Sequence, residues 1–157
     1  MIRLVVFETY PLFHIGLKVV FTGNSHIYMA GSTSDAATLF PLLTGTPEEV
    51  ILLGVNPCDK LLCVDVARRI RHDYPLLKIL AFADDGTEKT IRLMMKEGIN
   101  GFIGKWQANS NELGKAIQLV AAGEEYIGKV NRKKYYRRQS RIPELTKCRK
   151  KSKTKIS

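Results

Sequence analysis

Residues 50–57 read Val-Ile-Leu-Leu-Gly-Val-Asn-Pro. Four large apolar residues without polar alternation suit a strand buried on both faces, in the middle of a parallel sheet. A buried helix segment can give the same run, but Gly54 and Pro57 close this one within strand length. Ligand sites in open α/β sheets lie just past the carboxyl ends of the strands. Gly54 and Asn56 are therefore expected where the chain would do chemistry, and Gly54 carries no functional group.

The rest of the chain repeats one unit around that strand. Ile2–Phe7 reads as a first buried strand, followed by a loop and by Pro11, which suits the first position of a helix. Phe13, Leu17 and Val20 mark an inward face of that helix. A second strand is expected over 26–30, and a helix capped by Ser34 or Asp35 through about Leu43. Residues 60–73 return to helical spacing, with Leu62, Val66 and Ile70 inward and Arg68, Arg69 and Arg71 outside. A fourth strand over 78–83 ends at Asp84-Asp85-Gly86, read as a solvated turn. Thr87 caps the next helix, a short fifth strand spans 101–103, and Asn109 or Ser110 caps the last helix, with Leu113, Ile117 and Val120 inward. Strands alternating with helices predict an α/β fold, a doubly wound five-stranded parallel sheet in order 2-1-3-4-5.

Charge divides the chain. Residues 129–157 hold 13 Lys or Arg and one acid, Glu144, whereas residues 1–128 hold 12 bases and 14 acids. The division predicts a folded domain over 1–128 and a basic linker or tail over 129–157, disordered beyond 148. Apolar runs fall short of the roughly 18 residues of a membrane span, so a cytoplasmic protein without membrane contact is expected. Three scattered histidines and three cysteines without Cys-x-x-Cys spacing predict no metal site, and no cofactor is expected.

Several stretches together resemble the receiver domains of NarL/LuxR-type response regulators. They are Met1–Pro11, Val50–Pro57, Ile70-Arg71 followed by Tyr74-Pro75, Leu77–Ala83, Gly98–Lys105 and Glu112–Gly123. The resemblance implies a phosphorylation pocket in which two acids after the first strand hold Mg²⁺ and an aspartate on the third accepts a phosphoryl group. A hydroxyl ending the fourth strand and a lysine after the fifth contact that group. The corresponding positions here are Glu8, Thr9, Gly54, Ala83 and Lys105. One acid and the lysine remain; the acceptor and the hydroxyl do not. The resemblance thus implies a pseudo-receiver, with Phe102 at the switch-aromatic position.

The expected function is a phosphorylation-independent signalling or transcription-regulatory module, not an enzyme. A protein partner or a second copy of the chain is expected. DNA is expected either through the basic tail or through a helix-turn-helix that the family carries and this chain lacks after Leu145-Thr146. In the tail, Arg132, Lys133, Lys134, Arg137, Arg138 and Arg141 interleave with Tyr135 and Tyr136, a pattern suited to phosphate contact and stacking; a solvated linker is the plainer reading. Trp106 offers a partner contact, with half-buried packing as the alternative. Two rival functions stand beside this one. One is a protein-interaction or dimerisation domain with no DNA role; the other is a flavodoxin-like cofactor carrier, for which Glu8-Thr9-Tyr10-Pro11 supplies few phosphate donors.

Overall fold

The structure, a computed structural model, describes residues 1–129. Six strands form one sheet: β1 (Ile2–Phe7), β2 (Ile27–Thr33), β3 (Glu49–Val55), β4 (Lys78–Ala83), β5 (Gly101–Gly104) and β6 (Tyr126–Ile127). Their order is β2-β1-β3-β4-β5-β6, and every neighbouring pair is parallel. The expected 2-1-3-4-5 arrangement is present. The count of five is corrected by β6, two residues that pair with Gly101 and Phe102 along the β5 edge. A two-residue strand carries no periodicity, so its sequence gives no signal. β3 is buried along its whole length, as its unbroken apolar run requires.

The helices are α1 (Pro11–Phe21), α2 (Ala36–Leu39), α3 (Lys60–Asp73), α4 (Glu88–Met95) and α5 (Ser110–Ala121). α1 and α5 cover one face of the sheet, where Leu17, Phe21, Leu113, Ile117 and Val120 pack on Leu4, Val6, Leu52 and Phe82. α2, α3 and α4 cover the other, where Leu39, Cys63, Ala67, Ile70 and Met94 pack on Val5, Phe7, Ile51 and Ile79.

Caps follow the sequence. Pro11 opens α1, and the side chains of Asp35, Thr87 and Asn109 accept from the amides of Ala37, Thr90 and Glu112. α2 is shorter than expected. Pro41 lacks the N–H a further turn would need, and the chain tightens into a 3-10 turn over Phe40–Leu42. Two inward faces are also corrected. In α1 the buried residues are Leu17 and Phe21 while Val20 is exposed, and in α3 Cys63 is buried while Leu62 is exposed. Both segments carry apolar residues on several sides, so spacing alone does not select the face. Arg71 is not an outward residue: its guanidinium donates to the carbonyls of Pro75, Leu77 and Gly98 and to Asn100 Oδ1, tying α3 to the loops at the far end of the sheet. Burial lowers its pKa.

Among the described residues, no helix is long and apolar enough to cross a membrane.

Candidate functional site at the carboxyl edge of the sheet

Parallel pairing aligns the strand ends. β1, β3, β4 and β5 finish at Phe7, Val55, Ala83 and Gly104, and the residue following each is polar: Glu8, Asn56, Asp84 and Lys105. These four converge. Lys105 Nζ lies 2.8 Å from Glu8 Oε1 and 3.3 Å from Asp84 Oδ1, and it donates to Asn56 Oδ1 at 2.6 Å. Asn56 donates in turn to Glu8 Oε2 at 3.1 Å and to Thr9 Oγ1 at 2.6 Å. The Thr9 hydroxyl donates to Asp59 Oδ2 at 2.9 Å, and the Tyr10 amide donates to Glu8 Oε2 at 3.0 Å.

The cluster is shielded from water. Glu8 and Asn56 are 0% and 1% exposed, and the Lys105 side chain is 7% exposed. A buried charge is tolerated when it is paired and hydrogen-bonded. Lys105 meets both conditions and also lies over the rings of Phe13, Tyr10 and Phe82, at 4.4, 4.8 and 5.4 Å from their centroids. Glu8 meets them unevenly. Its Oε2 accepts two hydrogen bonds, while Oε1 touches the ammonium without the angle of a hydrogen bond. Burial, and then the charges of Asp84, Asp59 and Glu8, raise the Tyr10 pKa.

Of the residues expected at the pocket, Glu8, Thr9 and Lys105 come together. Gly54 lies beside them: a β-carbon built on it would stand 2.3 Å from Glu8 Oε1 and 2.8 Å from Glu8 Cδ. Ala83 is buried in the core between the sheet and α3 and α4; its carbonyl accepts from the Lys105 amide at 2.8 Å. Phe102 is fully buried in that same core. Trp106 is 46% exposed, and its indole lies across Gly86 and Gly104, where added β-carbons would stand 1.9 and 2.2 Å from the ring. Arg132, Lys133, Lys134, Arg137, Arg138 and Arg141 lie outside the described residues.

Sequence reasoning missed Asn56 as the bridging residue and treated Asp84-Asp85 as a solvated turn. Asp84 pairs with Lys105, and Asp85 pairs with Lys60 at 3.0 Å. Burial works against the Asp85 carboxylate, but hydrogen bonds from Thr87, Thr90 and Lys60 outweigh it and hold the pKa below the usual range. The available signal was positional: Glu8, Asn56, Asp84 and Lys105 each directly follow a strand end.

These side chains do not fit Mg²⁺. The ion needs several oxygen ligands in near-octahedral array, but an ammonium already contacts Glu8, and the Thr9 hydroxyl is turned to Asp59. Among the described residues, no group of three or more His, Cys, Asp or Glu is placed to hold a metal. A flavin phosphate is equally ill served, because at the β1–α1 loop it would meet the Glu8 and Asp59 carboxylates, and the Thr9 and Tyr10 donors are engaged.

No family model matches the sequence. The transcriptional regulatory protein MctR of Rhizobium johnstonii is 27% identical over 126 residues, which is 80% of this chain and 58% of that protein. The chain therefore spans somewhat over half the length of the curated relative it matches. The isolated receiver domain of RcsB from Salmonella enterica serovar Typhimurium superposes with a TM-score of 0.71 at 15% identity, covering 92% of this chain and 99% of that one. A LuxR-family DNA-binding response regulator from Silicibacter pomeroyi gives 0.64 at 22% identity, covering 83% and 98%. At these superpositions the chain has the fold of the receiver domains of LuxR-family response regulators.

Proposed function

We propose that this chain is a phosphorylation-independent regulatory module, a pseudo-receiver that acts through contacts rather than catalysis. The observation that carries the reading is the state of Lys105: its ammonium is matched internally by Glu8, Asn56 and Asp84, beside a glycine that supplies no nucleophile. The likeness to MctR, a transcriptional regulatory protein, supports a role in transcription. DNA contact through the basic residues after 129 is part of the proposal, and the Silicibacter relative is a DNA-binding response regulator.

One surface favours a protein-contact role alongside it. Leu12, Ile15 and Val19 stand on α1 at helical spacing and are 77%, 62% and 71% exposed. Such a stripe on a surface helix suits association with a protein partner or a second copy.

Incubation with acetyl phosphate and Mg²⁺, followed by intact-mass measurement, tests the first reading. The native chain gains no phosphate; stoichiometric addition overturns the pseudo-receiver assignment. Sedimentation across a concentration series tests self-association, and Leu12→Glu is expected to abolish whatever association appears.

A further inference from the structure

We infer that the Glu8 carboxylate is the resident anion of this pocket, seated in the space a side chain on residue 54 would occupy. The two positions are a matched pair: the glycine admits the carboxylate, and the carboxylate holds Lys105. The inference deepens the proposed phosphorylation independence, because a pocket filled from within has no room for an outside anion.

The steric part rests on Gly54. Its backbone does not have a positive φ; among the described residues, only Gly23, Gly45, Gly98 and Gly123 do. Nothing in its own conformation requires a glycine, and a glycine within a strand ordinarily weakens it. What a β-carbon would meet is Glu8 Oε1 at 2.3 Å, Glu8 Cδ at 2.8 Å and the Phe7 carbonyl oxygen at 3.1 Å. The first two contacts cannot coexist with a side chain, whereas the third requires a slight adjustment. The vacancy in the sequence at 54 is thus filled in space by residue 8, which arrives from the neighbouring strand.

The electrostatic part rests on Lys105. An ammonium at 7% side-chain exposure needs an anion nearby. Glu8 is fully buried and offers that charge from within the fold, with the Asn56 amide and the Tyr10 N–H steadying the second oxygen. Removing the Glu8 side chain would leave an ammonium, an amide and a backbone N–H around a hole sized for a small carboxylate.

A double-mutant cycle with chemical rescue tests this. Gly54→Ala is expected to lower Tm by about 5 °C or more in the native background. In Glu8→Ala it is expected to cost less than half as much, the remainder being set by the Phe7 carbonyl. Sodium acetate, against sodium chloride at matched ionic strength, is expected to raise the Tm of Glu8→Ala and leave the native protein unmoved. Glu8→Gln keeps the volume without the charge, so there Gly54→Ala stays costly and acetate does nothing. If Glu8→Ala does not fold, Glu8→Asp takes its place, since the shorter side chain withdraws from residue 54 and must ease Gly54→Ala. Equal losses from Gly54→Ala in both backgrounds, or rescue of the native protein by acetate, would overturn the inference. Those results would leave the mass measurement intact, and phosphate uptake by the native chain would refute the proposed function without touching the cycle.

Discussion

Asn56 holds Lys105 and Glu8 on opposite ends of one amide. Its oxygen accepts from the ammonium at 2.6 Å, and its nitrogen donates to the carboxylate at 3.1 Å. The amide matches each charge with the pole it requires, and this orientation is the only one that serves both. Asn56→Asp keeps the shape and removes the donor. The new carboxylate faces Glu8 and leaves the Thr9 hydroxyl oxygen without its donor. A loss of about 2 kcal/mol or more is expected at neutral pH, read by urea denaturation. Repulsion between the two carboxylates raises the proton affinity of the pair in the folded state, so the penalty shrinks as pH falls. A penalty independent of pH would contradict this account.

The single tryptophan reports on its own seat. Trp106 lies on Gly104 and Gly86, and no other tryptophan contributes to the emission. Gly104→Ala puts a methyl where the ring lies and displaces the indole into water. The emission maximum should move to longer wavelength, with a stability loss of about 1–3 kcal/mol. Gly16→Ala is the matched control. A β-carbon there meets nothing within 4 Å, so the helix should gain about 0.5–1 kcal/mol without any change in the spectrum.

Cys63 should make stability fall on the alkaline side. Burial, reinforced by the Asp59 charge, pushes its thiol from 9.0 up to about 12, and the thiol donates to the Gly54 carbonyl at 3.1 Å. Between those pH values the unfolded chain has released a proton that the folded chain retains. Stability is therefore fully present below about pH 9 and declines as pH rises toward 12, by at most about 1.4 kcal/mol per pH unit for this one group. Tyr10 and Tyr126, also raised chiefly by burial, add to the decline. Denaturation midpoints for native protein and Cys63→Ala across this range should converge at high pH. Parallel curves would remove Cys63 from the explanation.

Nucleic-acid affinity should reside after residue 128. That segment holds 13 bases against one acid, and the remainder holds 12 against 14. Binding should fall steeply with salt, since displaced counterions drive it, and should discriminate little between sequences. Electrophoretic titrations of the whole chain and of residues 1–128 across a salt series check this; equal affinity would place the binding surface on the folded domain.

The central strand and the helix caps were legible because a few residues decide them, whereas β6 and the full length of β2, Ile27–Thr33 against an expected 26–30, were not. The apolar run at 50–53 admits little but a central strand, and Asp35, Thr87 and Asn109 cap the helices that follow them. The face of α1 was not legible, since Leu12, Ile15, Val19 and Val20 are as apolar as the buried Leu17 and Phe21. In the site, Glu8 and Lys105 could be anticipated from resemblance, but the role of Gly54 could not. A glycine in a sequence signals a missing side chain; only the fold shows that another residue's carboxylate stands in the gap. Asn56 was placed at the site but its bridging role was not legible, and Asp84 was read as solvated, because the contacts that make them matter span 49 and 21 residues of chain.

The short strand β6 fixes where the chain leaves the domain. Because it runs parallel to β5, its forward end points to the same edge as Lys105. Gly128 is anchored to the Phe102 carbonyl and the Lys129 amide to Gln107 Oε1, one residue beyond Trp106. The described chain therefore ends beside the β5–α5 loop. A ligand held at that exit would meet Trp106 at an effective concentration set by the position of Lys129. Moving the exit point, by extending or deleting β6, would alter that concentration without changing a single contact residue.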